Sequence, residues 1–167
     1  MSNKNTNITI RFSDIDIAGH VHNSRYLCYF EQARIDFLTE IAGLDWDWRK
    51  KGLVLGRNEV DYLKPLYLRD KVIIKTNCDH IGNKSFTLSY ELYKVEGKKE
   101  ILCTKGRSIM ICMDFQTNET VDITIDNNVL SAKGMLAILN ENKLELISEI
   151  NGSFFKKNIV STKKAIQ

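Results

Sequence analysis

RFSDIDIAGHVHNSRYLCYFEQARIDFL, residues 11–38, decides how this chain folds. Its first part, residues 13–23 (SDIDIAGHVHN), is rich in Asp and His, carries one Gly, and reads as a loop. From Ser24 to Ala42 the pattern turns helical. Tyr26, Phe30, Ala33, Phe37 and Ile41 form one apolar stripe, and Leu27, Tyr29, Ile35 and Leu38 widen it. A helix apolar over so much of its circumference is expected to be largely buried. Asn23 or Ser24 is suited to cap its start and Gly43 its end. Asp14, Asp16, His20, His22 and Asn23 therefore crowd into the loop that feeds a buried helix. Free N–H groups at a helix start polarise a carbonyl and hold a developing oxyanion. A carboxylate beside them can attack that carbonyl or activate water. The residues alone thus allow acyl chemistry without naming a substrate.

Outward from this stretch the period becomes two. Residues 8–12 (ITIRF) read as a short strand before the loop. After the helix, Val60 and Tyr62 suggest a strand ahead of Lys64-Pro65. Val72, Ile74, Thr76 and Cys78 alternate with polar neighbours, as do Phe86, Leu88, Tyr90 and Leu92. Ile101, Cys103, Ile109 and Ile111 continue the series, with Gly106 a candidate bulge. Turns are expected at Leu68-Arg69-Asp70, Ile81-Gly82-Asn83 and Glu96-Gly97-Lys98. One buried helix with several antiparallel strands curled round it is an α+β arrangement. There is no internal repeat and no flexible linker. Residues 1–125 form the domain, and 126–167 are expected to be a C-terminal extension of it, with a short helix at Ser131 to Leu139 and a basic tail through Lys163-Lys164.

With 167 residues, 43% of them apolar and 27% charged, the chain has the profile of an ordinary single globular domain. A net charge of +3 does not suit a nucleic-acid binder but leaves room for a polyanionic small ligand. The opening Met1-Ser2-Asn3-Lys4 has no apolar run of the secretory kind, and no stretch reaches the length of a membrane span. Cys28, Cys78, Cys103 and Cys112 each sit in an apolar run without C-x-x-C spacing, so reduced, buried cysteines in a cytoplasmic protein are expected.

The segment DIDIAGHVHNSRYLCYFEQAR, with EVDYLKPLYLRDKVII behind it, resembles the hotdog-fold thioesterases of the 4-hydroxybenzoyl-CoA thioesterase and YbgC-like type, over roughly residues 8–115. The resemblance implies an antiparallel sheet wrapped round one central helix. It implies a CoA or acyl-carrier-protein thioester as substrate, no cofactor beyond the CoA of that substrate, no metal, and active sites at a dimer interface. In the family's D-x-D-x-x-G motif the second Asp is the catalytic carboxylate, here Asp16. Two departures stand out: Phe12 occupies a position often held by Tyr, and Asn23 one often held by His. The H-V-x-N version also looks like plant acyl-carrier-protein thioesterases with a D-x-N-x-H pattern, which Asp16 and His20 match while Ala18 replaces the Asn.

On this reading Asp16, His20 and Asn23 are the catalytic candidates. Asp14 caps a turn or supports Asp16. His20 is a general acid, orients water, or only bonds the loop. His22 is structural. Asn23 caps the helix or holds the water or carbonyl, and the N–H groups near Ser24 and Arg25 polarise the carbonyl. Glu31 and Arg34 form an ion pair. Trp46 and Trp48 line an acyl pocket or pack. Arg57, Lys64 and Lys84 meet CoA phosphates or are plain surface charges. Tyr62 or the turn Gly82–Ser85 is expected to come from the partner subunit onto the Asp16 loop. His20, His22 and the two Asp lack a third outlying ligand, so no metal is expected. An exposed sheet edge calls for a homodimer, and the resemblance extends this to a tetramer of two dimers. The alternative reading is a non-catalytic acyl-CoA sensor or accessory subunit. A hotdog dehydratase is a third, lacking its usual Pro-rich helix entry, and a DNA-binding regulator would need a helix-turn-helix that is not evident before Ile8.

Overall fold

The computed structural model describes residues 4–42 and 47–123. Gly43, Trp46, the expected helix at 131–139 and the basic tail lie outside the described residues. In chain order the elements are β1 (Lys4–Ile8), a 3-10 turn (Phe12–Asp14), α1 (Asn23–Ala42), β2 (Lys51–Tyr62), β3 (Lys71–Ile81), β4 (Ser85–Glu96), β5 (Lys99–Asp114) and β6 (Glu119–Thr120). The strands form one antiparallel sheet in the order β1-β3-β4-β5-β2. The short β6 pairs with the end of β5, through Met113 and Asp114, past the point where β4 begins at Ser85 opposite Ile111. This is the expected α+β layout, one long helix against one curled sheet.

The first strand lies earlier than residues 8–12. Thr6 and Ile8 alternate inward as β1 runs against β3 from Lys4 opposite Thr76 to Ile8 opposite Val72. The chain then turns, because the Asp14 carboxylate captures the Arg11 N–H at 2.9 Å and Phe12 swings out to solvent. The three turns fall where expected. The Asp70 carboxylate takes the Tyr67 N–H at 2.8 Å, Gly82 donates to the Ser85 carbonyl at 2.7 Å, and Gly97 adopts φ +60° between Glu96 and Lys99. That φ lies where only residues without a Cβ are comfortable.

Helix α1 buries Tyr26, Tyr29, Phe30, Ala33, Phe37 and Leu38 against Val72, Ile74, Phe86, Leu88, Tyr90 and Leu92 of the sheet. It is half-buried rather than surrounded. Leu27, Cys28, Glu31, Gln32 and Ile35 point away from the sheet, Ile35 with 53% of its surface exposed. Cys28 is therefore exposed and Cys78 half-exposed, while Cys103 and Cys112 are buried, and burial pushes the Cys112 thiol up to about 11.

Gly106 is not a bulge. It stands in register between Tyr90 and Val60. The irregularities lie at Leu55/Arg57, Cys78/His80 and Leu92/Tyr93. The last leaves Cys103 as an extra residue in β5, which reverses the strand's parity. Cys103 and Thr104 are both buried, and beyond them Gly106, Ser108, Met110 and Cys112 face inward while Ile109 and Ile111 take the other face, half-buried. Gly106 is needed for another reason. The Phe30 ring stacks on Tyr90 (centroids 4.7 Å apart, planes 15° apart), and a Cβ on Gly106 would meet that ring at 2.5 Å.

Gly106→Ala should therefore force the helix off the sheet and cost roughly 1–3 kcal/mol, the usual range for overpacking. Phe30→Leu in the same chain should recover part of that loss, read as urea midpoints of the single and double variants. An additive pair would show that the two residues do not share this contact.

Candidate active site

The loop before α1 is a small hairpin. Asp16 N–H donates to the His20 carbonyl at 3.0 Å and His22 N–H to the Asp14 carbonyl at 2.8 Å, with Ile15 and Val21 facing each other between these rungs. Asp16 and Gly19 close the tip, Gly19 at φ +81° with its N–H on the Asp16 carbonyl. A further bond from Val21 N–H to the Leu66 carbonyl at 2.8 Å holds the hairpin to the loop between β2 and β3. Asp16 sits at the mouth of this device, half-buried. Its Oδ1 accepts the Ala18 N–H at 2.8 Å, a turn of the kind Asp favours. Its Oδ2 lies 3.7 Å from His20 Nδ1, which in turn stands 3.4 Å from the Val21 carbonyl. Asp16 and His20 are thus neighbours, close enough to attract but beyond hydrogen-bond distance.

The helix start differs from expectation. Neither Asn23 nor Ser24 caps it with its own side chain. His22 does so: its Nδ1 accepts the Ser24 N–H at 3.3 Å and also meets the Ser24 hydroxyl at 2.8 Å, and its carbonyl takes the Arg25 N–H at 2.9 Å. The N–H groups of Ser24 and Arg25 are accordingly occupied within the chain. Among the described residues nothing accepts from the Asn23 N–H, and nothing bonds its side-chain amide. An unpaired N–H at a helix start is the donor that a carbonyl or oxyanion seeks.

Asp14 is the buried carboxylate of the site, 6% exposed. Its Oδ2 accepts the Tyr29 hydroxyl at 2.8 Å as well as the Arg11 N–H, and its Oδ1 lies 3.6 Å from Arg25 Nε. The Arg25 guanidinium also reaches the Ser13 carbonyl at 3.4 Å. Burial first, then the bond to Asp14, raises the Tyr29 hydroxyl well above its ordinary value, so it stays a donor. Tyr29 and the Arg25 side chain join the Asp14 network; in the sequence Tyr29 reads only as part of the apolar stripe and Arg25 only through its main-chain N–H. The available signal was an aromatic with a polar tip on the buried face, one turn from Tyr26.

The remaining candidates separate. Tyr62 donates its hydroxyl to the Asn23 carbonyl at 3.0 Å and meets Tyr26 edge-on at 5.1 Å, so within one chain it already belongs to the helix start. Arg57 pairs with Glu59 at 2.7 Å on exposed β2, and Glu31 with Arg34 at 3.4 Å. Trp48 is exposed, and Lys64 is held through its N–H on the Cys103 carbonyl. Gly82, Lys84 and Ser85 lie at the far end of the sheet. Tyr62 is level with Thr104 and Ser85 with Ile111, seven residues further along β5, about 23 Å at the usual strand rise. Lys84 Nζ there reaches Thr120. Among the described residues no group of three or more His, Cys, Asp or Glu side chains could hold a metal, and no helix is long and apolar enough to cross a membrane.

One antiparallel sheet against one long helix is the hotdog fold, and its relatives make this chain a thioester hydrolase. The chain belongs to the thioesterase-like superfamily, whose family model matches residues 10–150. It is 26% identical to the long-chain acyl-CoA thioesterase FadM of Escherichia coli over 117 residues, 70% of this chain and 87% of that one. It is 30% identical over 94 residues to a 1,4-dihydroxy-2-naphthoyl-CoA hydrolase of Thermosynechococcus vestitus, 54% of this chain and 64% of that one. The structure of a predicted thioesterase from Bacillus stearothermophilus superposes with a TM-score of 0.66 at 29% identity, covering 74% of this chain and 90% of the other.

Burial pushes the Tyr26 hydroxyl, beneath this site, up to about 12, the Leu66 main chain offsetting part of the rise. Unfolded chains release that proton near the ordinary value of 10. As pH climbs from 10 to 12 the unfolded state therefore binds fewer protons than the folded one, and stability must fall. The loss from this group should amount to about 2–3 kcal/mol. Tyr26→Phe should flatten the decline in urea stability across that window, and an unchanged slope would remove Tyr26 as its source.

Proposed function

We propose that this chain hydrolyses acyl-CoA thioesters and that Asp16 is the reacting carboxylate. The carrying observation is the placement of Asp16 and the unpaired Asn23 N–H on the two sides of one short hairpin, at the start of a half-buried helix. The Asn23 N–H, helped by the helix dipole, polarises the thioester carbonyl. Asp16 either takes a proton from water as it attacks or attacks the carbonyl itself. In both routes an oxygen bonds to the carbonyl carbon and the C–S bond breaks. The CoA sulfur leaves as thiolate and takes up the proton released by water; when Asp16 is the attacking group, water then cleaves the acyl-Asp16 anhydride, and in both routes the free acid is released and Asp16 is restored as carboxylate. His20 steadies the second oxygen of Asp16. A CoA thioester is favoured over a carrier-protein thioester by the names of the curated relatives. Asp16→Asn keeps size and removes charge. It should lower kcat on the best substrate of an acyl-CoA panel by about 10²–10⁴-fold, followed as thiol release. Wild-type turnover in this variant would sink the assignment, and saturable acyl-CoA binding without turnover in the wild type would favour the sensor reading.

We further propose that the working unit is a homodimer joined at β2. Among the described residues that strand ends the sheet, and Val54, Leu55 and Tyr62 are exposed along it. Long apolar edges of this kind need covering. Antiparallel pairing of two β2 strands about a two-fold axis sets the Tyr62 end of one against the Lys51 end of the other. The partner's turn at 82–85 then comes level with the Asp16 loop and supplies the basic Lys84 to an anionic CoA. Two copies of 19.2 kDa give about 38 kDa, and a pair of dimers about 77 kDa. Leu55→Arg should lower the mass by light scattering and the hydrolase rate together. A fully active 19.2 kDa species at high concentration would rule out a shared site.

A further inference from the structure

We infer that Asp14 and Tyr29 are a positioning pair, which sets the distance between Asp16 and the Asn23 N–H and so governs turnover rather than binding. The inference rests on the reading of Asp16 given above. Four contacts converge on Asp14. Its carboxylate takes the Arg11 N–H at 2.9 Å and the Tyr29 hydroxyl at 2.8 Å, and faces Arg25 at 3.6 Å. Its carbonyl takes the His22 N–H at 2.8 Å. Residue 14 thereby joins the 3-10 turn, the second turn of α1 and the returning arm of the hairpin. Asp16 hangs one rung further out on the same hairpin, and Asn23 follows His22 directly. Loosening of Asp14 from Tyr29 would free the hairpin arm that carries Asp16 to move against the helix start at Asn23.

A buried carboxylate is expensive unless it is paired and bonded. Asp14 is fully provided for by groups that belong to α1 and its approach, which is why it can hold the loop in one place. A hydrophobic residue at 29 would pack the core as well, since the Tyr29 ring is buried beside Tyr26 at 6.1 Å. Only its hydroxyl reaches Asp14, so the hydroxyl's role is geometric. Near-attack placement is sensitive to misplacement of about 1 Å, which can cost up to about 10²-fold in rate.

The test compares four variants of the full chain on the best acyl-CoA. Tyr29→Phe removes the hydroxyl and keeps the ring, and Asp14→Asn removes the charge and keeps the shape. Each should lower kcat about tenfold or more with KM within about twofold. The double variant should lose no more than the worse single one, as expected of residues acting as a unit. Gly97→Ala, which strains the φ +60° turn between β4 and β5 and touches nothing in the site, serves as the control and should keep wild-type kcat at temperatures where it is folded. Wild-type kcat in Tyr29→Phe, a loss confined to KM, or an equal kcat loss in Gly97→Ala would overturn the inference. If Asp16→Asn is inactive while Tyr29→Phe is unimpaired, only the positioning role fails. If Asp16→Asn turns over normally, the reading of Asp16 fails first.

Discussion

The structure depends on the flat contact of Phe30 with the strand pair Tyr90–Gly106. The helix has to lie close to a concave sheet, and the absence of a side chain at Gly106 is what lets the ring approach the backbone. Stacking on Tyr90 adds about 1 kcal/mol beyond the buried area. Its larger consequence is positional. With Phe30 seated, Tyr26, Tyr29, Ala33 and Phe37 are presented to the sheet in one orientation, and the helix start is aimed at the loop that carries Asp16. Helix, sheet and site are thereby held by one seat.

From that seat the chemistry is reached through short polar links rather than through more packing. His22 caps the helix, Asp14 joins loop to helix, and Tyr62 bonds the first carbonyl of α1. Two acidic residues lie within three positions of each other yet do different work. Asp14 is buried, paired and silent, whereas Asp16 keeps one oxygen only loosely engaged. An Asp whose bonds are all taken is a poor base or nucleophile, and one that keeps an oxygen loosely engaged is better suited to either task. The Ser24 and Arg25 N–H groups are occupied, and among the described residues nothing accepts from the Asn23 N–H. Among the described residues, the half of α1 that faces away from the sheet and the outer strand β2 both carry exposed apolar residues, Ile35 and Leu55 among them.

The sequence by itself determined the elements that rest on local rules. The helical stripe from Tyr26 to Phe37, the turns at Asp70, Gly82 and Gly97, and the gathering of Asp16, His20 and Asn23 before α1 are all encoded within a few residues of one another. Tertiary structure decided what depends on distant partners. The extra residue at Cys103 switches the inward face of β5, and a period-two reading passes over such a slip without a signal. Gly106 reads as a bulge because the ring that requires it, Phe30, lies on a helix far earlier in the chain. The same holds for Tyr29, which reads as core by its spacing and becomes a hydrogen-bond donor only because folding brings Asp14, fifteen residues away, onto its hydroxyl. Periodicity reports which face of an element is buried. It carries no information about which atom of another element meets that face, since that is set by the spacing and register at which helix and sheet pack.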